Sequence, residues 1–344
     1  MKSKLIRKEH LAPKIIVIDG LPGCGKTMLS PIIASFERTE VMTFSYELEF
    51  ILTLFYLEKI TSDAAVTMIR SITDLKIYNL MMSREVNFRP SDLSSIFKNQ
   101  SPFRYIKRLF QDGDEKVPEL IAKRNPILII TTHQMMALSM PLFNALEDRL
   151  IFVELVRHPL YMLKQHEENM ANVNSLARDF DMQIEFENNQ IPFYAKNYER
   201  EFFEGSPLEK GILFIDKFTS LSEKTKSELT KEQSERLITI PFEEFVLNPF
   251  PYVEKISSSL ESEITKKTKR EMKKQNVPRQ KIADGLSLEV YKRFGWEPSK
   301  KGYTERDELD ERYNYALTKI ITKENIKFLD KIVKEYDDKY MINI

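Results

Sequence analysis

The sequence predicts a doubly wound α/β fold: three layers, with a central parallel sheet, flanking helices and helical insertions. Two patterns lead there. Apolar runs bounded by turn residues recur at IIVI (15–18), ILII (127–130), LIFVELV (150–156), ILFI (212–215) and LITI (237–240). Unbroken runs of this length are what strands covered on both faces show. Helical stretches separate most of them, and that alternation is the mark of a parallel sheet with crossovers. A weaker strand is expected at Val41–Phe44.

The first run enters the stretch DGLPGCGKTMLS. Gly20, Gly25, Lys26 and Thr27 satisfy G-x-x-x-x-G-K-[ST] in full. Such a loop turns backbone N–H groups toward an anion and places it on a helix N-terminus. Gly20, Pro22, Gly23, Cys24, Gly25, Lys26 and Thr27 are therefore the expected phosphate cradle, with Lys26 neutralising bridging oxygens. With this loop the fold class becomes P-loop nucleoside-triphosphate-hydrolase-like. Pro31 should kink or shorten the helix that follows. Cys24 reads as a small loop residue.

From about 47 to 120 the pattern is mostly helical, an insertion that covers the site; a second polar helical region is expected at about 164–210. The ILIITTHQ run (127–134) ends in Thr131, Thr132 and His133, where an acid that holds Mg²⁺ would be usual. His133 at a strand end is suited to act as a general base. Arg157 closes the next run, and His158-Pro159 opens a helix, so an arginine fork can meet a phosphate there. Asp216 is expected to close the ILFI strand. Beyond about 261 lies a C-terminal extension. It starts with the basic run KKTKREMKKQNVPRQK (266–281) and ends in an amphipathic helix near 323–340. The reading is one domain over 1–344, with its core at about 13–260.

Composition narrows the class. Of 344 residues, 42% are hydrophobic and 30% charged, and 52 basic residues balance 52 acidic ones. That fits a globular protein with no global basic field for nucleic acid. One cysteine permits no intrachain disulfide. The N-terminus has no apolar signal core and no membrane-spanning run occurs, so a cytoplasmic protein is expected. Trp296 and the aromatic residues around 291–296 read as packing.

Four segments in order resemble the cytosolic and bacterial sulfotransferase family: the loop at 20–27, ITTHQMMALSMP (130–141), LIFVELVRHPLYML (150–163) and ITIPFEEFVLNP (238–249). The resemblance implies that the loop binds the 5′-phosphosulfate of 3′-phosphoadenosine 5′-phosphosulfate (PAPS), that His133 is the catalytic base alongside Lys26, and that Arg157 binds the 3′-phosphate. Phe242-Glu243-Glu244-Phe245 and Asn248-Pro249 are then mainly structural. Arg279, or Arg270, is the candidate for a further phosphate contact. Three positions depart from the family: the loop lysine sits three residues later, Gln165 replaces a serine, and Thr131 replaces a lysine. Sulfuryl transfer from PAPS to a hydroxyl of a small molecule or glycan is the expected activity, with no metal required. The loop alone also admits an ATP-dependent kinase with Mg²⁺, Arg84, Arg89 and Asp92 binding its substrate, or a nucleotide-binding module without chemistry.

Overall fold

The computed structural model describes residues 3–99, 101–173, 180–286, 292, 300 and 302–341. Its centre is β1 (Lys14–Asp19), β2 (Thr43–Phe44), β3 (Ile127–Thr131) and β4 (Leu150–Val156). A hairpin, β5 (Gln183–Phe186) with β6 (Asn189–Pro192), precedes the last sheet strand, β7 (Leu237–Pro241). The five-stranded sheet runs β2-β3-β1-β4-β7 and is parallel throughout. Ile15, Ile16, Val17 and Ile18 are all fully buried. Successive side chains point to opposite faces, so both faces must be covered, which explains the apolar runs.

The chain leaves β1 for β2 at one edge, returns to β3 beside β1, then crosses to β4 and β7 on the other side. The loops after β3, β1, β4 and β7 therefore line up along the carboxyl edge, where open α/β sheets bind ligands. Helix α1 (Lys26–Ile33) follows the glycine-rich loop and ends two residues after Pro31. The insertion is built from α2 (Tyr46–Tyr56), α3 (Ser62–Met81), α4 (Pro102–Arg108) and α5 (Val117–Arg124), with largely non-helical chain around 82–101.

Two expectations fail. The ILFI run is not a strand: it lies inside a 22-residue helix, Pro207–Glu228. Pro207 occupies its first turn, and Ser206 with Glu209 forms a reciprocal capping box. Leu208, Ile212, Ile215 and Phe218 are buried at helical spacing, and four adjacent apolar residues alone cannot distinguish helix from strand. Asp216 accordingly closes no strand; it pairs with Lys331 at 2.8 Å. The region 164–210 is not wholly helical either. Glu187 and Asn188 hold φ of 48° and 62°, a two-residue turn of the kind that closes the twisted β5–β6 hairpin. The amphipathic helix near the C-terminus spans Lys323–Tyr340, and Trp296 lies outside the described residues. No described helix is long and apolar enough to cross a membrane.

Candidate active site

Backbone geometry builds the loop. Gly20, Gly23 and Gly25 take φ of 144°, 89° and 106°, where a side chain is strained. Space forbids one as well: a Cβ on Gly20 would meet the Leu155 carbonyl oxygen at 2.3 Å, and one on Gly25 the Phe242 ring at 2.5 Å. Gly25 caps α1, so the positive end of the helix lies at the loop. Lys26 is buried; its Nζ donates to the carbonyls of Gly20 (2.5 Å) and Leu21 (3.1 Å). The ammonium is thus folded back over the loop's mouth. Cys24 is also buried, and burial pushes its thiol up, which fits a packing role.

Asp19, at the end of β1, is fully buried. It accepts from Thr132 Oγ1 (2.8 Å) and from the amides of Met135 (3.0 Å) and Met136 (2.7 Å). These bonds fix the chain that carries His133. The Gln134 amide donates to Gly20 O at 3.2 Å, which holds that segment against the glycine-rich loop.

His133 is partly exposed, and Glu49 on α2 holds it twice. The carboxylate oxygen Oε1 accepts from the His133 amide and lies against Nδ1, each at 3.0 Å. The ring is parallel to Phe44 (centroids 5.8 Å, 6° between planes) and near-parallel to Tyr46 (6.3 Å, 21°). The reading of the sequence missed Glu49. Its only local signal is an acid in the first turn of the helix after the short strand, and that position commonly serves the helix dipole instead.

On the other side of the loop, Arg157 Nη1 donates to Gly23 O at 2.8 Å. Its guanidinium lies 4.3 Å from the Phe242 ring centroid and 5.2 Å from that of Tyr161, and its buried Nε has no hydrogen-bond partner among the described residues. Arg279 lies 5.5 Å over the same Phe242 ring and donates to Ile282 O. Two predicted phosphate-binding arginines thus share one aromatic ring, and that ring touches Gly25. Gln165 also reaches the loop, since a Cβ on Gly23 would sit 2.8 Å from its Oε1. The neighbouring His166 was not anticipated: buried on the helix Pro159–Ala171, its Nε2 holds Pro22 O at 3.0 Å. Burial pushes this imidazole down to about 4, so it is neutral, with Nε2 as donor.

Other candidates lie apart. Arg270 sits on the exposed face of the helix Lys266–Lys274. Arg84 pairs with Asp114 at 2.8 Å and Arg89 with Asp92 at 3.7 Å, on the exposed side of the insertion, with only Asp92 half-buried. A single 3₁₀ turn follows them at Ile96, capped by Ser95. A cavity of about 550 Å³ runs from Gly20, Cys24 and Arg157 to Lys226, Tyr336 and Tyr340. Its floor carries Glu154, buried and paired with Lys226 at 2.6 Å.

No protein-family model matches the chain, and no curated protein matches it. Among solved structures, it is similar to a sulfotransferase domain from the curacin biosynthetic pathway, with 13% identity, TM-score 0.46, and 96% of this chain and 99% of that one covered. A sulfotransferase from Mycobacterium avium matches at 14% identity and TM-score 0.42, over 98% and 79% of the two chains. A mouse sulfotransferase complexed with PAP matches at 11% identity and TM-score 0.40, over 97% and 88%. The residues described above, rather than these distant likenesses, carry the functional reading.

Proposed function

We propose that this chain transfers a sulfuryl group from PAPS to a hydroxyl acceptor. The observation that carries the reading is the line of groups along the sheet's carboxyl edge: His133 after β3, the glycine-rich loop after β1, Arg157 after β4 and Phe242 after β7. A base stands at one end, an anion cradle in the middle, and two arginines on an aromatic ring at the other end. That order suits a donor whose two phosphate-bearing ends are held separately while its transferable end faces a base.

PAPS, when bound, supplies the sulfuryl group. The chain's own residues do the rest. Lys26 exchanges the Gly20 and Leu21 carbonyls for the bridging oxygen of the departing nucleotide, and with the loop amides it stabilises the charge that grows there. Arg157 turns its unpartnered Nε toward the 3′-phosphate, supported by Arg279 and Gln165. His133 takes the acceptor's proton as its oxygen attacks sulfur. Glu49, Asp19 and His166 hold His133 and the loop in place.

A second reading, an ATP-dependent kinase, is favoured by the Gly25-Lys26-Thr27 spacing. The acids nearest the loop are already engaged, Asp19 by three donors and Glu154 by Lys226. The discriminating assay follows PAPS conversion to adenosine 3′,5′-bisphosphate in the presence of EDTA, with ATP and Mg²⁺ in parallel. Chelator-resistant PAPS turnover supports sulfuryl transfer; turnover of ATP alone supports the kinase.

A further inference from the structure

We propose that Glu49 is a positioning residue, which locks His133 in the tautomer with its proton on Nδ1 and so leaves Nε2 as a bare acceptor. The kinetic consequence rests on the sulfuryl-transfer reading; the tautomer does not.

An ionised carboxylate can only accept, so the Nδ1 facing Glu49 at 3.0 Å must carry a proton. In the neutral ring Nε2 then has the lone pair. Nε2 takes no hydrogen bond from a described residue, and the side chain keeps 31% of its surface exposed. The backbone is tied as well: the same Oε1 accepts the His133 amide. Ring and main chain are therefore referenced to a single oxygen.

Two further constraints remove the remaining freedom. The ring's plane is matched to within 6° by Phe44, on β2, so rotation about the outer side-chain bond would lose that stack. Glu49 sits in the first turns of α2, where the Glu49 amide donates to Ser45 O and the side chain is 11% exposed. A carboxylate fixed by a helix, a ring fixed by a strand and a backbone fixed by Asp19 leave one orientation for Nε2. Such an arrangement raises the fraction of encounters in which the base meets a hydroxyl in reactive geometry. It also lets the carboxylate stabilise the imidazolium formed after proton transfer. Tyr46 and Phe180, mutually edge-on at 6.2 Å and both exposed, give this side of the ring an aromatic rim, so a simple phenol is the acceptor to try.

The test is ¹⁵N NMR of the imidazoles at pH 8, which is tractable because the chain has four histidines and His133→Gln identifies the signal. The wild type should show His133 protonated at Nδ1 and bare at Nε2. Glu49→Ala should shift it toward the Nε2–H form. With PAPS and phenol, whose hydroxyl keeps its proton at pH 8, Glu49→Ala should lower kcat about 10²-fold, with bisphosphate affinity unchanged. Glu49→Gln, which keeps an oxygen in reach, should recover part of the loss; it also serves if the alanine variant fails to fold. An Nε2–H tautomer in the wild type, or variants with unchanged tautomer, would overturn the proposal. The expected tautomers without any PAPS turnover would support the positioning and count against the proposed activity.

Discussion

The Arg157 guanidinium lies 4.3 Å from the centroid of the Phe242 ring, and the same ring leaves no room for a Cβ on Gly25. The glycine-rich loop, the end of β4 and the end of β7 are thus in mutual contact. A planar cation stacked on an aromatic ring keeps its edge for a phosphate, which a lysine ammonium cannot do. Arg157→Lys, though charge-conserving, should therefore weaken adenosine 3′,5′-bisphosphate binding about tenfold or more. Equilibrium binding by tryptophan-independent calorimetry reads this directly, and an unchanged affinity would remove Arg157 from the site.

His133→Ala should lower the rate of sulfuryl transfer about 10²–10⁴-fold, the span typical of a lost general base. Donor binding should persist, because His133 stands on the β3 side of the loop, away from Arg157 and Arg279. Single-turnover rates with saturating PAPS separate the two effects. Equal losses in rate and nucleotide affinity would contradict the assignment.

His166 makes the fold sensitive to acid. Its folded value is pushed down to about 4 from an ordinary 6.5, chiefly by burial and against the favourable Pro22 contact. Between those values the unfolded chain binds the extra proton, so stability is complete above about pH 6.5 and falls as the pH drops toward 4. The contribution is on the order of 3 kcal/mol. Urea unfolding at a series of pH values should show a shallower acid decline in His166→Leu than in the wild type; parallel declines would refute it.

The insertion is anchored to the core by ions. Arg108 on α4 forks onto Glu40, with contacts of 2.7 and 2.8 Å, and both side chains are 2% exposed. Tyr105 Oη donates to Glu40 at 2.9 Å. Removing one partner leaves a buried charge, so Arg108→Met should cost about 3–5 kcal/mol, whereas replacing Glu40 and Arg108 together by apolar residues should cost less than the single change. Denaturant midpoints for the two variants decide this.

Much of this arrangement was legible in the residues because it is local. The glycines, Lys26 and Thr27 declare their loop by spacing, and His133 and Arg157 stand where apolar runs stop. The runs predict four of the five sheet strands closely, since a strand buried on both faces has no polar alternation to confuse it. ILFI was misread because its helix is signalled by Ser206, Pro207 and Glu209, ahead of the run itself. Glu49 and His166 were invisible for another reason. Their roles depend on contacts with His133 and Pro22, which lie 84 and 144 residues away in the chain, and no spacing rule spans such distances.

Calorimetric titration with adenosine 3′,5′-bisphosphate asks whether the site is built for a 3′-phosphorylated nucleotide. The same protein is titrated separately with a non-hydrolysable ATP analogue and Mg²⁺. The expected result is tight, metal-independent binding of the bisphosphate that Arg157→Ala weakens. Preference for the ATP analogue with Mg²⁺ would contradict it.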